Sequence, residues 1–544
     1  MKKPAYMKSH RKNALRLAAL SVLPFSHLLM AEEKDGVPTP LTPPSVTFAP
    51  KPEQTDENRQ FQGIPGIERA SNGRLWAVWY GGGNGEGPDN IVMLNTSGDD
   101  GKTWSDIKII IDIDRPIRCF DPVVWIDPGK RLWVFWAQAV SHPVDAHTWA
   151  MVTENPEDEN PTWQKPFLIA PGVMMNKPTV LESGDWLLPI SDWEGRRLRT
   201  PDKATANVTI SKDQGKTFQP LGGIHVPVAV RHYDEQMVVQ RKDGSLLMMI
   251  RTRYGIGEAT SADGGKTWSE VAPSKVVHPS SRFFIRRLSS GNLLLVKHWP
   301  IDEKLGGRNH LAAFVSKDDG LTWEGGLLLD ERNEVSYPDG VEGDDGIIRI
   351  IYDFSRTSSK EILMAAFTEE DVLAAKDVSG KVRLRVLVNK ALGLPFPASE
   401  LRTNKDGAPL AQGAPAEWES GRGVIKEFKA GDPVFNNRPY PVLAVPGFLA
   451  DSRFLYDNQR STRAVCTADG IGYVITPSED RSMDSLHAKL LEQGFTKAAV
   501  KEFLLFSTPG NPKGSLVSTY QKSFKAGDEL NFGKWGVVVI PKAK

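Results

Sequence analysis

The chain has 544 residues, which is long enough for two or three domains with a large buried core. Its 67 basic and 67 acidic residues cancel, and this balance argues against a nucleic-acid-binding protein, which usually carries a basic excess. Two cysteines are present, Cys119 and Cys466, and their wide separation in the sequence predicts no structural disulfide.

The first part of the chain carries targeting and linker signals. Basic residues precede an apolar run at 17–31, and this pattern predicts a signal peptide over residues 1–31. The run is too short to span a bilayer, so we expect an exported protein, periplasmic or secreted, with no membrane span after signal removal. Residues 32–60 are rich in proline and charge and predict an extended linker.

A short pattern of Ser, any, Asp, any, Gly, any, Thr and an aromatic residue recurs along the chain. Asp and Ser side chains can bond backbone N–H groups within their own turn, glycine accepts positive φ, and the aromatic ring is an apolar anchor. The pattern therefore predicts a hairpin turn that is fixed to a core. It occurs at 97–104, 211–218, 261–268 and 316–323, with a degenerate copy at 153–163.

A second repeat gives the number of units independently. A turn glycine followed by an apolar strand occurs six times, at intervals of roughly 50 to 60 residues. Six repeats of this length, each made mostly of short strands, predict an all-β fold with a six-bladed β-propeller over residues 61–390. The glycines are Gly73, Gly129, Gly184, Gly244, Gly291 and Gly346.

The chain changes character after the last repeat. Residues 391–423 are rich in Pro, Ala and Gly and predict a linker. Residues 424–544 contain strand-like runs around one helical segment at 485–504, and they predict a smaller β-rich accessory domain. An accessory sugar-binding role and a packing role are both open for this domain.

Charged residues concentrate where one mouth of the propeller is predicted. The innermost strand of a blade and the strand that returns beside it place the start of the first and the end of the second on one face. Because unpaired buried charge is costly, these residues form either a self-satisfied ion-pair network or a site for an anionic, carboxylate-bearing sugar. They are Arg118, Asp121, Lys177, Asp192, Asp234, Glu235, Arg251, Arg253, Arg282, Lys297, His298, Tyr337 and Asp339.

The repeats and the mouth residues together resemble the sialidase (neuraminidase) superfamily, especially the bacterial exo-sialidase-like proteins with BNR repeats. The resemblance covers residues 61–389. It implies a retaining exo-glycosidase that hydrolyses terminal acidic sugars, sialic acid or a related sugar acid, from glycans. A tyrosine nucleophile suits such a substrate, because a neutral phenol is not repelled by the sugar's own carboxylate.

The resemblance assigns roles to individual residues of the mouth. It implies that Tyr337 is the nucleophile and that Glu235 activates it. It also implies that Arg251, with Arg253 as a near competitor, and Arg308 bind the carboxylate of the substrate.

One family motif departs from the expected sequence. The Arg-Ile-Pro motif that opens the first blade has Gly63 in place of the arginine. Carboxylate binding is therefore expected to be weakened, to be displaced onto Arg118 or Lys177, or to serve a different substrate.

The acid/base carboxyl that the resemblance implies lies in the early loop at 80–90. The spacing of this loop fits Asp89 or Glu86 and does not choose between them. Either side chain could protonate a leaving oxygen if burial raises its pKa. Asp121 is open between a strand-capping role and a second acid, and Arg282 completes the predicted substrate-contacting set.

Two other functions are kept as alternatives. His232 and Tyr233 could serve as base and acid in β-elimination by a polysaccharide lyase acting on uronate glycans. The loss of the first arginine is also consistent with a non-catalytic glycan-binding propeller. Metal-ligand spacings are missing from the sequence, so no metal or other cofactor is expected, and the expected partner of a monomeric protein is a glycan with an acidic sugar.

Overall fold

The structure is a computed structural model. It describes residues 38–83, 85–114, 117–140, 145–193, 205–299, 307–393, 414–421, 423–443, 445, 449, 452–459, 462–478, 486–498, 500, 502–508, 511–532 and 535–541. The predicted signal peptide at 1–31 lies outside these residues.

Six antiparallel sheets follow one another through the described part of residues 45–390. From its outer to its inner edge, the first sheet contains β1 (Ser45–Thr47), β5 (Ile109–Asp112), β4 (Ile91–Ser97), β3 (Leu75–Gly81) and β2 (Gln62–Arg69). The second sheet runs from its inner edge through β6 (Ile117–Ile126), β7 (Leu132–Val140), β8 (His147–Thr153) and β9 (Phe167–Pro171). The third runs through β10 (Thr179–Val180), β11 (Trp186–Leu188), β12 (Ala206–Ser211) and β13 (Gln219–Ile224).

The next three sheets repeat the same strand order. The fourth contains β14 (Met237–Gln240), β15 (Leu246–Thr252), β16 (Gly255–Ser261) and β17 (Ala272–Pro273). The fifth contains β18 (Phe284–Arg287), β19 (Leu293–His298), β20 (Leu311–Ser316) and β21 (Glu324–Asp330). The sixth contains β22 (Val335–Glu342), β23 (Ile348–Phe354), β24 (Glu361–Phe367) and β25 (Arg383–Lys390), with helix α1 (Glu369–Ala374) between its last two strands.

The sheets pack face to face, which explains the composition of their second strands. Strand β3 is buried along its whole length, because each of its faces lies against apolar side chains. Strand β2 contacts both β6 and β22, so the inner edge of the first sheet touches those of the second and the last. This arrangement fits a β-propeller and confirms the all-β prediction; that the six sheets are six blades of one propeller stays a prediction.

The repeated Ser–Asp–Gly–Thr turns join the third and fourth strands of their sheets, on the side away from the inner strands. In the third copy, the Asp263 carboxylate accepts hydrogen bonds from the backbone N–H and the hydroxyl of Thr267, at 2.9 and 2.6 Å. These bonds lower the pKa of Asp263 to about 2. The Ser261 hydroxyl accepts the N–H of Gly265 at 2.9 Å, and Gly265 has a φ of 94°. The turns therefore organise the sheets at a distance from the inner strands.

The prediction of a linker over residues 32–60 is wrong for the described residues 38–60. The outer strand β1 pairs with β5 and covers what would otherwise be an open sheet edge. The carbonyl of Pro40 accepts the indole N–H of Trp149 at 2.9 Å. A short 3-10 helix follows at Pro52–Gln54, and Arg59 is buried with an ion pair to Asp56 at 2.6 Å. Prolines do not prevent this segment from becoming part of the first sheet.

The C-terminal part forms its own sheets and apolar clusters. Within the described residues, a three-stranded sheet contains β26 (Glu417–Glu419), β31 (Thr462–Ala468) and β36 (Glu529–Phe532). A seven-stranded sheet contains β27 (Val424–Glu427), β30 (Arg453–Tyr456), β37 (Val537–Ile540), β32 (Gly470–Pro477), β35 (Asn511–Phe524), β33 (Thr496–Lys497) and β34 (Phe503–Thr508). A hairpin contains β28 (Pro433–Phe435) and β29 (Arg438–Pro441).

Two boundary predictions for this part are wrong. Strand β26 lies inside the predicted linker 391–423, because its residues pair with β31. The helix predicted at 485–504 is limited to α2 (His487–Glu492), because Gly494 turns the chain at a φ of 82° and strands follow. An accessory role for this part stays a prediction.

Among the described residues, no helix has both the length and the apolar character that a membrane crossing requires. Cys119 and Cys466 are both buried and free.

Candidate active site

Three inner strands contain the same distortion, and it points three side chains into one cavity. Ile64, Asp121 and Tyr337 each precede a proline and have φ values of 54°, 47° and 54°. The pairing of each inner strand with its neighbour shifts register at this point. A residue before proline ordinarily adopts an extended conformation, so the left-handed backbone is strained, and bulges of this kind redirect side chains beside active sites.

The cavity has a volume of about 180 Å³. Its walls combine arginines, carboxylates and aromatic rings, which is the chemistry expected around an acidic sugar. The lining residues are Ile64, Tyr80, Glu86, Arg118, Asp121, Met175, Trp193, Tyr233, Glu235, Arg251, Arg308, Tyr337 and Arg356. The structure thus brings together seven of the eleven residues predicted to contact substrate.

A hydrogen-bonded triangle stands at the centre of the cavity. The Tyr337 hydroxyl donates to Glu235 Oε1 at 2.9 Å, and Arg251 Nη1 donates to the same carboxylate oxygen at 2.6 Å. Arg251 Nη1 also lies 3.0 Å from the Tyr337 hydroxyl oxygen. Burial raises the pKa of Tyr337 and Glu235 adds to the rise, whereas the surrounding arginines oppose it. A base and a cation are therefore both in contact with the phenol.

Two of the cavity arginines have no carboxylate partner in the described part of the chain. The guanidinium carbon of Arg308 lies 5.1 Å from the ring centroid of Tyr337, and that of Arg118 lies 4.0 Å from the ring centroid of Phe120. Among the described residues, neither side chain makes an ion pair within 4.0 Å or a hydrogen bond. Arg118 is 4% exposed, and its Nε is buried without a partner within the same residues. Positive charge left unpaired in this way favours an anionic ligand.

Arg356 is a cavity residue that the sequence analysis missed. Its guanidinium carbon lies 4.2 Å from the ring centroid of Tyr337, and its Nε donates to Asp353 Oδ2 at 2.8 Å. Burial alone would lower the pKa of Arg356, but Asp353, Tyr337, Tyr80 and Glu86 together outweigh burial and the pKa is raised. The end of the second strand of each sheet is expected at the same mouth as the start of the inner strand. Arg356 follows the second strand β23 by two residues, so this rule could have predicted its position at the cavity.

The carboxyl groups near the cavity differ in their positions. Glu86 lines the cavity, and its Oε1 lies 3.5 Å from Arg356 Nη1. Asp89 is partly exposed and lies outside the cavity lining, with its side chain near Gly83. Asp121 lines the cavity, and no hydrogen bond to its carboxyl group is found within the described residues.

The environment of Asp121 favours a protonated carboxyl group. Burial raises the pKa of Asp121 to about 7, and Arg118 opposes the rise while Glu86 and Glu235 add to it. A carboxyl group with this pKa can donate a proton near neutral pH.

Lys177 and Arg282, both predicted to bind substrate, lie outside the cavity lining. Lys177 Nζ lies 2.6 Å from Glu68 Oε1 and 3.5 Å from Asp339 Oδ2, while Arg282 Nη2 lies 3.5 Å from Asp339 Oδ1. All four side chains are at most 7% exposed. We call Lys177, Glu68, Asp339 and Arg282 the Lys177 network. Its charges neutralise one another outside the cavity lining, which favours a structural role.

Other predicted mouth residues also lie outside the cavity lining. Arg253, the predicted competitor of Arg251, is exposed outside the cavity lining, and its Nε donates to the carbonyl of Arg231. His232 Nδ1 lies 2.5 Å from Ser280 Oγ and 3.3 Å from Arg251 Nη2. The remaining ones are Asp192, Asp234, Lys297, His298 and Asp339.

The cavity offers arginines, carboxyl groups and a tyrosine for chemistry. These groups can bind an anion, withdraw a proton from a phenol and supply a proton to a leaving oxygen. The described residues contain no group of three or more His, Cys, Asp or Glu side chains placed to hold a metal ion.

Repeated Asp-containing turns hold the sheets, and one cavity contains a Tyr–Glu–Arg triangle. The family described as BNR repeat-like domain matches residues 73–350, and the chain belongs to this family. No curated protein matches the chain as a relative.

Solved structures resemble the chain at low sequence identity. The Hadza microbial sialidase is 20% identical with a TM-score of 0.47, and the match covers 57% of this chain and 66% of that one, just under two thirds. The intramolecular trans-sialidase from Ruminococcus gnavus, in complex with oseltamivir carboxylate, is 14% identical with a TM-score of 0.45, covering 59% and 97%. The Trypanosoma rangeli sialidase in complex with sialic acid is 13% identical with a TM-score of 0.42, covering 88% and 91%.

Proposed function

We propose that this protein is an exported, sialidase-like exo-glycosidase on a six-bladed propeller, which removes terminal acidic sugars from glycans with retention of anomeric configuration. The nucleophile is Tyr337. The observation that carries the proposal is the contact of its hydroxyl with Glu235 and Arg251 beside two arginines that have no carboxylate partner among the described residues. Sialic acid and related sugar acids are the substrates that such a cavity favours.

The first chemical step uses the hydrogen bond between Tyr337 and Glu235. As the phenol oxygen attacks the anomeric carbon, its proton passes to Glu235 over the 2.9 Å contact. Arg251, 3.0 Å from the same oxygen, stabilises the negative charge that develops there. The new bond joins the tyrosine oxygen to the sugar, and the bond from the anomeric carbon to the leaving oxygen breaks.

The leaving oxygen needs a proton, and a carboxyl group in the cavity must supply it. Asp121 is best placed for this role, because it lines the cavity and its pKa of about 7 keeps much of it protonated at neutral pH. Glu86 also lines the cavity and is the second candidate, whereas Asp89 lies outside the lining. In the second step the same carboxyl group, now ionised, removes a proton from water as the water attacks the anomeric carbon. The bond from the sugar to the tyrosine oxygen breaks, and Glu235 returns its proton to that oxygen.

The test is a hydrolysis screen with the Tyr337→Phe variant. The purified wild-type chain is assayed on aryl sialosides, aryl uronides and neutral aryl glycosides, and the anomer released first is identified by NMR. We expect release of acidic sugars with retention and a loss of at least about 10³-fold in kcat for Tyr337→Phe. Hydrolysis by Tyr337→Phe at the wild-type rate would contradict the mechanism, and glycan binding without turnover would favour the non-catalytic alternative.

The geometry disfavours the lyase alternative. A β-eliminating base must reach the cavity, but His232 is outside its lining and its Nδ1 already contacts Ser280 and Arg251. The appearance of an unsaturated, ultraviolet-absorbing product from a uronate polymer would restore that alternative.

A further inference from the structure

The side chain of Arg356 fills the space that a side chain at position 63 would need. A Cβ atom built on Gly63 would lie 2.7 Å from Arg356 Cδ, 2.8 Å from Cγ and 2.9 Å from Nε. Contacts below 3.0 Å are not tolerated between a real Cβ and its neighbours. The observed position of Arg356 therefore requires glycine at position 63.

Arg356 is held in this position by groups of its own sheet. Its Nε donates to Asp353 Oδ2 at 2.8 Å, and its Nη2 donates to Ser336 Oγ at 3.2 Å. Asp353 is fully buried and also accepts the backbone N–H of Ile64 at 2.8 Å, next to Gly63. The carboxylate thus ties the arginine of the sixth sheet to the bulge of the first sheet.

Three guanidinium groups converge on one tyrosine. Arg356 and Arg308 lie 4.2 and 5.1 Å from the centroid of the Tyr337 ring, and Arg251 contacts its hydroxyl at 3.0 Å. Arg356 contacts Asp353 through Nε and Ser336 through Nη2, and its Nη1 lies 3.5 Å from Oε1 of the exposed Glu86. All three arginines line the same cavity. An anionic group bound in this cavity would have three guanidinium groups around it, and guanidinium groups bind carboxylates well.

We propose that Arg356, placed in the space left by Gly63, binds the acidic group of the substrate together with Arg251 and Arg308 and makes the site selective for sugars that carry a carboxylate at the reacting end. The pair Gly63 and Arg356 acts as one unit, because a side chain at position 63 would displace the guanidinium. The catalytic part of this inference rests on the proposed function, whereas the binding part is independent of turnover.

The experiment measures binding of N-acetylneuraminic acid and D-glucuronic acid, and of the primary amides of both, by calorimetry. Tyr337→Phe is used as the background so that no turnover interferes. We expect at least one acid to bind better than its amide, and Arg356→Met to weaken the acid about 10- to 100-fold while the amide changes little. Arg463→Met removes an exposed arginine elsewhere in the chain and serves as the charge control.

Glycine substitutions test the pairing of the two positions. Gly63→Ala leaves Arg356 in the sequence but is expected to displace it, and so to lower acid affinity in the same direction as Arg356→Met. Gly98→Ala is the matched control, because its Cβ would meet Arg74 only at an ordinary 3.5 Å. The exchanged double variant Gly63→Arg with Arg356→Gly is expected to bind the acid better than either of its single variants.

Several outcomes would overturn the inference. These are equal affinity of the wild-type site for acid and amide, no binding of either acid, or unchanged acid affinity in Arg356→Met. If Arg356→Met does not fold, Arg356→Lys is used to test the inference. Lysine keeps the positive charge but lacks the planar guanidinium that binds a carboxylate through two N–H groups, so this variant must retain part of the preference for the acid. Arg356-dependent binding without any hydrolysis would refute the proposed function alone, and Tyr337-dependent hydrolysis that ignores Arg356→Met would refute this inference alone.

Discussion

Two clusters of buried charge lie near each other in this protein, and they differ in whether the charges are paired. The Lys177 network combines two cations with two carboxylates, and its side chains contact one another directly. The cavity contains four arginines, of which Arg118 and Arg308 have no carboxylate partner among the described residues. The comparison teaches that pairing, more than the presence of charge, separates a structural element from a binding site.

The largest expected effect comes from removing the base of the cavity. Glu235→Gln keeps the shape of the side chain but cannot accept the Tyr337 proton, so we expect kcat on an acidic aryl glycoside to fall by about 10³-fold. Binding of the acidic sugar should survive, because the arginines remain. Steady-state kinetics and calorimetry measure the two quantities, with Glu182→Gln at an exposed position as the control. A normal kcat for Glu235→Gln would mean that Glu235 is not the base that accepts the Tyr337 proton.

Breaking the Lys177 network is expected to lower the stability of the folded protein. Lys177→Met removes the ion-pair partner of the buried Glu68 and leaves Asp339 with Arg282 alone, and we expect the free energy of unfolding to fall by about 3–5 kcal/mol. Lys317→Met breaks an exposed pair with Glu324 and should cost less than about 1 kcal/mol. Denaturant titration measures both. The comparison fails if Lys177→Met unfolds like the wild type but loses its preference for acidic sugars.

These two clusters also show how far the sequence alone could lead. The repeats predicted the strand order, and the inner-strand starts located Tyr337, Glu235, Asp121 and Arg118 at the cavity. The same reasoning placed Lys177 at the cavity. A repeat indicates how far along its strand a residue lies, but it does not indicate the direction in which the side chain points.

Arg356 illustrates the opposite difficulty. It contacts the cavity only because Gly63, in the first sheet, leaves room for it. The two residues are close because the first and last sheets are neighbours, and no local pattern records which side chain fills that space. The outer strand β1 was missed for a related reason, since its partner β5 lies more than 60 residues further along the chain.

A smaller effect is expected from the proposed acid, and it depends on pH. The pKa of Asp121 in the folded chain is about 7, well above its ordinary 3.8, so the proton is present below pH 7 and lost as the pH rises through 7. We expect kcat/KM to fall on the alkaline side with this pKa. Asp121→Asn should lower the rate about 10²-fold and abolish that limb of the profile.

Stability gives a second measurement for Asp121. Its raised pKa stabilises the folded state fully below about pH 4, and this contribution is lost as the pH rises towards and through 7. Asp121→Asn removes the ionisation, so its stability relative to the wild type should improve between pH 5 and pH 8. If the alkaline limb persists in Asp121→Asn and disappears in Glu86→Gln, then Glu86 is the acid.

The smallest effect is expected where charge is exposed and serves only a turn. Asp263→Asn removes the carboxylate that accepts the Thr267 bonds, far from either charge cluster, so the kinetic constants should not change. The folded pKa of Asp263 is lowered to about 2, so its contribution to stability is present above about pH 4 and is lost as the pH falls towards 2. The melting temperature of Asp263→Asn should therefore lie slightly below that of the wild type at pH 7 and approach it in acid. A change in acid-sugar binding would mean that these turns affect the cavity. The turns that organise the sheets could then not be treated as independent of the residues that bind substrate.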